Sequence, residues 1–213
     1  GVYIFVVKQN RRNATLQLLK RAIDEKRFGK IHMVHLNVFW TRPQEYYDQS
    51  KWRGTLKFDG GAFMNQASHY VDLLDWLIGP VDKVQAMMST TRDIEVEDTG
   101  VLNVKWCNGA LGSMSVTMLT YPKNLEGSIV ILGENGTVRI GGVAVNDIKH
   151  WEFDKPKDYD DEVKEAYRSL IRENHPDTVI AQGMPQEFVD VANEKMAQIN
   201  TAYEQIQKQR SIS

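Results

Sequence analysis

The sequence predicts an α+β fold: a mainly antiparallel open sheet with helices on one face, followed by a C-terminal helical hairpin. Three observations carry this expectation. Helical periodicity appears early, around residues 13–26 and again after Gly60-Gly61. Between Val81 and Phe153, short runs of β-formers alternate with turn residues, and Asn108-Gly109 and Asn135-Gly136 are the strongest hairpin signals. Beyond Lys155-Pro156-Lys157-Asp158, which reads as a linker, the pattern is helical alone. Successive hairpins give antiparallel pairing, and so few helices cover only one face of a sheet.

The elements follow in order. Gly1-Val2-Tyr3-Ile4-Phe5-Val6-Val7 reads as a buried strand, and a chain opening inside a strand implies sequence before it. Asn13 can cap a helix reaching about Lys26, with Leu16, Leu19, Ala22 and Ile23 on one face and Gly29 ending it. Residues 31–40 alternate as a strand does. Residues 41–59 form a polar, aromatic-bearing excursion without a clean period, and a loop of that length inside a compact domain is functional or mobile. Gly60-Gly61 leads into one helix that turns Met64, Ala67, Val71, Leu74 and Leu77 inward and stops at Gly79-Pro80. Strands are expected over 84–91, 100–106, 110–119, 128–132, 137–140 and 147–153. Helices over 160–174 and 186–208 complete the chain, giving a domain at 1–157 and a helical segment at 158–213.

Composition narrows the function. Apolar residues at 42% and charged residues at 25% are those of an ordinary soluble globular chain. A net charge of −2 supplies no field for nucleic acid or an anionic membrane surface. No apolar run reaches the ~18 residues a membrane span needs. The single cysteine, Cys107, excludes an internal disulfide and a multi-cysteine metal site. It is expected as a buried small hydrophobe and suits a reducing cytoplasm, which is the expected location.

The chemistry gathers in GAFMNQASHYVDLLDW, residues 61–76. There Asn65, Ser68, His69 and Asp72 stand three or four residues apart and would share a helix face. A histidine beside an amide can exchange a proton with a sugar hydroxyl. On the helix alone, a hydrogen-bonded packing histidine is the favoured reading of His69. The wider sequence changes that balance. GGAFMNQASHYVD, with VVKQNRRNATLQLLK, HLNVFWTRPQEYYDQSKWRGT and VTMLTYPKNLEGSIVILGENGTVRIGG, resembles the Gfo/Idh/MocA family of nicotinamide-dependent oxidoreductases over about residues 1–155. Within it, these blocks resemble the C-terminal domain of UDP-sugar-acid dehydrogenases used in bacterial surface-polysaccharide (lipopolysaccharide-type) synthesis.

The resemblance implies a UDP-sugar substrate, with His69 as acid/base or orienting group and Asn65, an amide where many relatives carry aspartate, as an orienting residue only. Arg11, Arg42, Arg53 and Lys123 lie inside the matching blocks and suit a diphosphate or carboxylate, with Tyr46 and Tyr121 available for hydrogen bonds or stacking. Each of them reads equally as solvated surface. NAD is implied for the full-length family, but no G-x-G-x-x-G stands anywhere in the chain. The family places that unit upstream, so no cofactor is expected in this chain, nor turnover by it alone.

DDEVKEAYRSLIRENHPDTVIAQGMPQEFVDVANEKMAQINTAYEQIQ, residues 160–207, resembles helix II, the HPD loop and helix III of a DjlA-type J-domain. That resemblance implies Hsp70 as partner, met by His175, Pro176 and Asp177. A helical hairpin whose turn happens to contain HPD is the plainer alternative. No helix I pattern precedes it, and KDYDDEVKEA, residues 157–166, suits either family, so the chain reads as a fusion or chimera. Three functions therefore stand as expectations: a nucleotide-sugar-binding dehydrogenase domain, an Hsp70-recruiting module, and a non-catalytic fragment that forms homo-oligomers through its open sheet face.

Overall fold

The computed structural model describes residues 8–161. Gly1–Asp154 forms one compact unit and Lys155–Ser213 a second. The expected opening strand, and the expected hairpin with His175, Pro176 and Asp177, lie outside the described residues. In the second unit the described residues end in a 3-10 turn, Asp158–Asp161.

The first unit is α+β, with a seven-stranded, mostly antiparallel sheet. Its strands are β1 (Ile31–Phe39), β2 (Val81–Ser89), β3 (Thr99–Trp106), β4 (Leu111–Thr117), β5 (Glu126–Gly133), β6 (Gly136–Gly141) and β7 (Asp147–Phe153). Spatial order is β2-β3-β4-β1-β5-β6-β7. The hairpin at Asn108-Gly109 forms, and Gly109 takes φ +90; β5 and β6 also form a hairpin, but its turn lies at Glu134-Asn135, and Gly136 already belongs to β6 without a positive φ. β1 is central: it pairs antiparallel with β5 but parallel with β4, the one parallel pair in this sheet.

Period-two alternation divides the sheet faces. Val34, Leu36 and Val38 of β1, Met114 and Val116 of β4 and Ile129 and Ile131 of β5 are all buried. Their neighbours Met33, His35, Asn37 and Phe39 are half-buried or exposed. The buried face carries the helices. A Cβ on Gly127 of β5 would meet the Tyr70 hydroxyl at 2.1 Å, and one on Gly100 of β3 would meet Phe63 at 2.5 Å. On the outer face His35 Nδ1 lies 2.7 Å from Ser113 Oγ, and all nine residues of the edge strand β2 are exposed.

Among the described residues, four α-helices accompany the sheet: α1 (Ala14–Asp24), α2 (Gln44–Asp48), α3 (Gly61–Met64) and α4 (Ser68–Ile78). α1 buries Leu16, Leu19 and Ala22, as its periodicity requires. The excursion at 41–59 is not wholly irregular, since α2 lies within it. The single helix expected after Gly60-Gly61 is two. Asn65, at φ −102 and ψ −87, leaves the helical region, and the chain restarts at Ser68. The break shifts the phase, so Met64 and Val71 are exposed (73% and 45%) while Tyr70, Leu73 and Leu74 are buried. Cys107 is also corrected. It is exposed, because it occupies the β3–β4 turn, with its N–H donating to the Pro80 carbonyl at 3.0 Å.

Candidate functional site

α4 begins at Ser68 because Asn65 terminates α3, and Ser68 Oγ donates back to the Asn65 carbonyl at 2.8 Å. Ser68, His69 and Asp72 therefore occupy the first turns of α4, while Asn65 stands outside it rather than on a shared helical face. The Asn65 amide donates to Asp59 Oδ1, and Asp59 Oδ2 accepts the Gly54 N–H at 2.6 Å. That buried carboxylate fixes the amide's direction.

His69 is half-buried, and its Nδ1 is sealed from solvent without a hydrogen-bond partner among the described residues. Burial lowers its pKa from the ordinary histidine value, the Lys8 ammonium lowers it further, and Asp72 pulls it back up. Burial thus favours the neutral ring, the form able to accept a proton. Lys8 Nζ donates to Ser68 Oγ at 3.3 Å. Arg11 lies in a 3-10 turn (Gln9–Arg12), and its Nε and Nη2 each meet one Asp72 oxygen at 2.7 Å. Its guanidinium lies 5.5 Å from the Trp76 ring centroid. The bond to Asp72 raises the Arg11 pKa above its usual value. Arg11 is thus held at the helix face, with its fork engaged by a carboxylate.

The excursion after β1 brings Arg42, Tyr46 and Arg53 together. The Tyr46 ring lies between two guanidiniums, 5.2 Å from Arg42 and 4.2 Å from Arg53. The stack continues outward to Trp40, 5.5 Å from Arg42, and Trp52, 5.6 Å from Arg53. Arg53 Nη1 donates to the Tyr46 carbonyl at 2.8 Å and to Gln49 Oε1 at 3.0 Å, and Arg42 Nη1 donates to the Thr41 carbonyl at 2.7 Å. The Nε of each is buried without a partner among the described residues. Buried Gln66, in the break before α4, donates to the Tyr46 hydroxyl at 3.5 Å and so links that break to the stack. Tyr121 and Lys123 lie on the crossing from β4 to β5 and are exposed; Tyr121 is 94% so.

Of the residues the sequence marked, the structure stacks Arg42, Tyr46 and Arg53 together and places Arg11 on Asp72, three residues after His69, while Asn65 is bonded to Asp59. The structure leaves Tyr121 and Lys123 in solvent. Lys8, Asp59 and Gln66 were missed, because a lone lysine, an aspartate before two glycines and a glutamine carry no spacing signal. A surface cleft walled by Tyr47, Lys51, Arg53, Ile94 and Glu95 takes only Arg53 from the expected set, and His69 does not line it.

The described residues do not fit a dinucleotide. Such a site needs a glycine-rich turn opening a helix to a pyrophosphate. The only paired glycines that open a helix here are Gly60-Gly61, and the space over Gly61 is filled by the Glu97 carboxylate, whose Oε1 accepts the Phe63 N–H at 3.1 Å. An anion already caps that helix start.

Residues 16–139 match the family model described as the GFO/IDH/MocA C-terminal domain. Among solved structures, the chain is similar to the WlbA dehydrogenase of Chromobacterium violaceum in complex with NADH and UDP-GlcNAcA. Identity is 76% and the TM-score 0.75, over 76% of this chain and 47% of that one. It is also similar to the Bordetella pertussis WlbA dehydrogenase in complex with NADH and UDP-GlcNAcA, at 65% identity and TM-score 0.71, over 77% and 52%. Levoglucosan dehydrogenase, at 22% identity and TM-score 0.64, shares the fold. Among curated proteins, the co-chaperone DjlA of Vibrio cholerae is 53% identical over 51 residues, 24% of this chain and 18% of that protein. DjlA of Coxiella burnetii is 47% identical over 53 residues, 25% of this chain and 20% of that protein. The chain thus spans about half the length of the WlbA chains and about a fifth of DjlA.

Proposed function

We infer that this chain, which belongs to the Gfo/Idh/MocA family through its C-terminal domain, carries the substrate-binding domain of a nucleotide-sugar dehydrogenase. The substrate class proposed is a UDP-sugar acid, in keeping with surface-polysaccharide synthesis. The observation that carries the reading is the His69 imidazole, half-open yet with Nδ1 sealed and unpartnered, four residues after an amide that Asp59 holds in place. A neutral ring so placed accepts the proton of a sugar hydroxyl, and Asn65 orients that sugar. Arg42 and Arg53 meet the diphosphate, Tyr46 and Tyr121 offer stacking and hydroxyl groups, and Lys123 adds charge at the rim. NADH and UDP-GlcNAcA are bound together in the WlbA complexes, which supports nicotinamide chemistry in the complete enzyme. The test is calorimetry of the whole chain with UDP-GlcNAcA. Binding that weakens at least about tenfold in His69→Ala or Arg53→Ala supports the reading. No heat at millimolar ligand overturns it.

A second reading is favoured by the similarity to DjlA. His175, Pro176 and Asp177 would engage an Hsp70 and stimulate its ATPase. Stimulation lost in His175→Gln supports this, and no stimulation by the intact chain refutes it. The outer sheet face, with exposed Met33, Met87 and Leu111, supports a third proposal, self-association. A monomer in sedimentation at high concentration would refute that.

A further inference from the structure

We propose that Arg11 is a positioning residue for His69: by holding both oxygens of Asp72, it withholds from the imidazole the carboxylate that would keep it protonated. The functional meaning rests on the reading of His69 as a proton acceptor; the coupling itself does not.

Asp72 stands three residues after His69 on α4, so the two side chains are neighbours on one face. A carboxylate in that place is the ordinary partner of an imidazolium N–H. Asp72 is turned away from that role, since its Oδ1 and Oδ2 each lie 2.7 Å from a nitrogen of the Arg11 fork. His69 Nδ1 stays buried and unpartnered among the described residues. An imidazolium carries an N–H on both nitrogens, so the one at Nδ1 would stand without an acceptor, which disfavours the cation.

Arg11 is itself fixed from two more sides. Its guanidinium stacks 5.5 Å from the Trp76 centroid, and its carbonyl accepts the Gln17 side-chain amide. The charged groups on the elements around His69 are few. Lys8 and Arg11 come from the segment before α1, Asp72 from α4, and α3 (GAFM) contributes none. Asp75 acts on Arg11. Among the described residues, the Lys8 ammonium, bonded to Ser68 Oγ, and the Asp72 carboxylate, held by Arg11, set the ring's environment, and Arg11 decides how far that carboxylate is available to the ring.

A pair that merely tied the 3-10 turn to α4 would leave the His69 titration indifferent to the chemistry of residue 11. The experiment is a histidine-ring NMR pH titration of the full chain, which has five histidines, with His69 assigned by its loss in His69→Gln. Arg11→Gln should raise the His69 midpoint by about half a unit to one unit. Removing a nearby cation would act in the same direction, so the decisive variant is Arg11→Lys. It keeps the charge, loses the two-pronged fork and frees one Asp72 oxygen. It should give at least about half the Arg11→Gln rise. In an Asp72→Asn background the same substitution should do nothing. A midpoint within about 0.2 unit of wild type in Arg11→Lys, or an equal rise without the carboxylate, overturns the proposal. Calorimetric silence toward UDP-GlcNAcA with this cycle intact would instead remove the sugar-binding reading and leave the coupling standing.

Discussion

Substituting Gly61 by alanine should loosen the start of the functional segment by an amount the structure sets. Gly61 adopts φ +86, and an added Cβ would lie 2.1 Å from Glu97 Oε2. The positive φ alone costs a Cβ-bearing residue about 1–2 kcal/mol. The carboxylate must also move, and it loses its bond to the Phe63 N–H at the start of α3, a cap worth about 1–2 kcal/mol. The expected loss is about 2–4 kcal/mol, a large share of a typical domain's 5–15. Gly109→Ala is the control: φ is +90, but nothing lies within 4 Å of its Cβ. It should lose the conformational share only. Urea unfolding followed by tryptophan fluorescence reports the first unit alone, because all five tryptophans lie before Asp154. Equal losses in the two variants, or less than about 1 kcal/mol in Gly61→Ala, would refute the reasoning.

Burial pushes the Tyr47 phenol up to about 12, with Asp98 and Asp59 adding to the rise, and burial drives Tyr70 upward as well. A phenol whose pKa is higher in the folded state stabilises the fold fully below its unfolded value near 10, and that contribution fades as pH climbs toward 12. Stability should therefore fall by up to about 1 kcal/mol per pH unit per tyrosine over that window, and Tyr47→Phe should shed its share; denaturant midpoints at pH 9 and 11 decide it. Asp59→Asn should cost about 1–3 kcal/mol, since one carboxylate serves both the Gly54 N–H and the Asn65 amide; an unchanged urea midpoint would count against that. Cys107 should react with a thiol reagent in the native state as fast as a free thiol, and protection until unfolding would contradict its exposed position.

The sheet was legible because its signals are local. The Asn108-Gly109 turn fixes one hairpin, Asn135-Gly136 marks the neighbourhood of another, and period-two alternation marks the buried face of β1 and β5. The parallel pairing of β1 with β4 was not legible, because 71 residues separate the end of one strand from the start of the other (Phe39 to Leu111) and no local pattern records such a pairing. The helix break at Asn65 also escaped. Gln66-Ala67 are good helix formers, and only the buried Gln66 and the Asn65–Asp59 bond show what overrides that propensity. At the site, the histidine and the arginines were marked by kind, but their commitments were not. Arg11 joined to Asp72, and Arg53 joined to the Tyr46 carbonyl, are long-range or turn-dependent contacts that composition cannot assign.

Tyr70 follows His69 directly in α4, and its hydroxyl fills the space that any side chain at position 127 would need. The seat of α4, the helix that carries His69, therefore depends on a missing methyl group on β5. A methyl at position 127 would lever the tyrosine, and with it the helix, off its seat. A family of such substitutions at one site, graded by size, would work as a dial on the seat of α4 without altering any residue of the proposed sugar site.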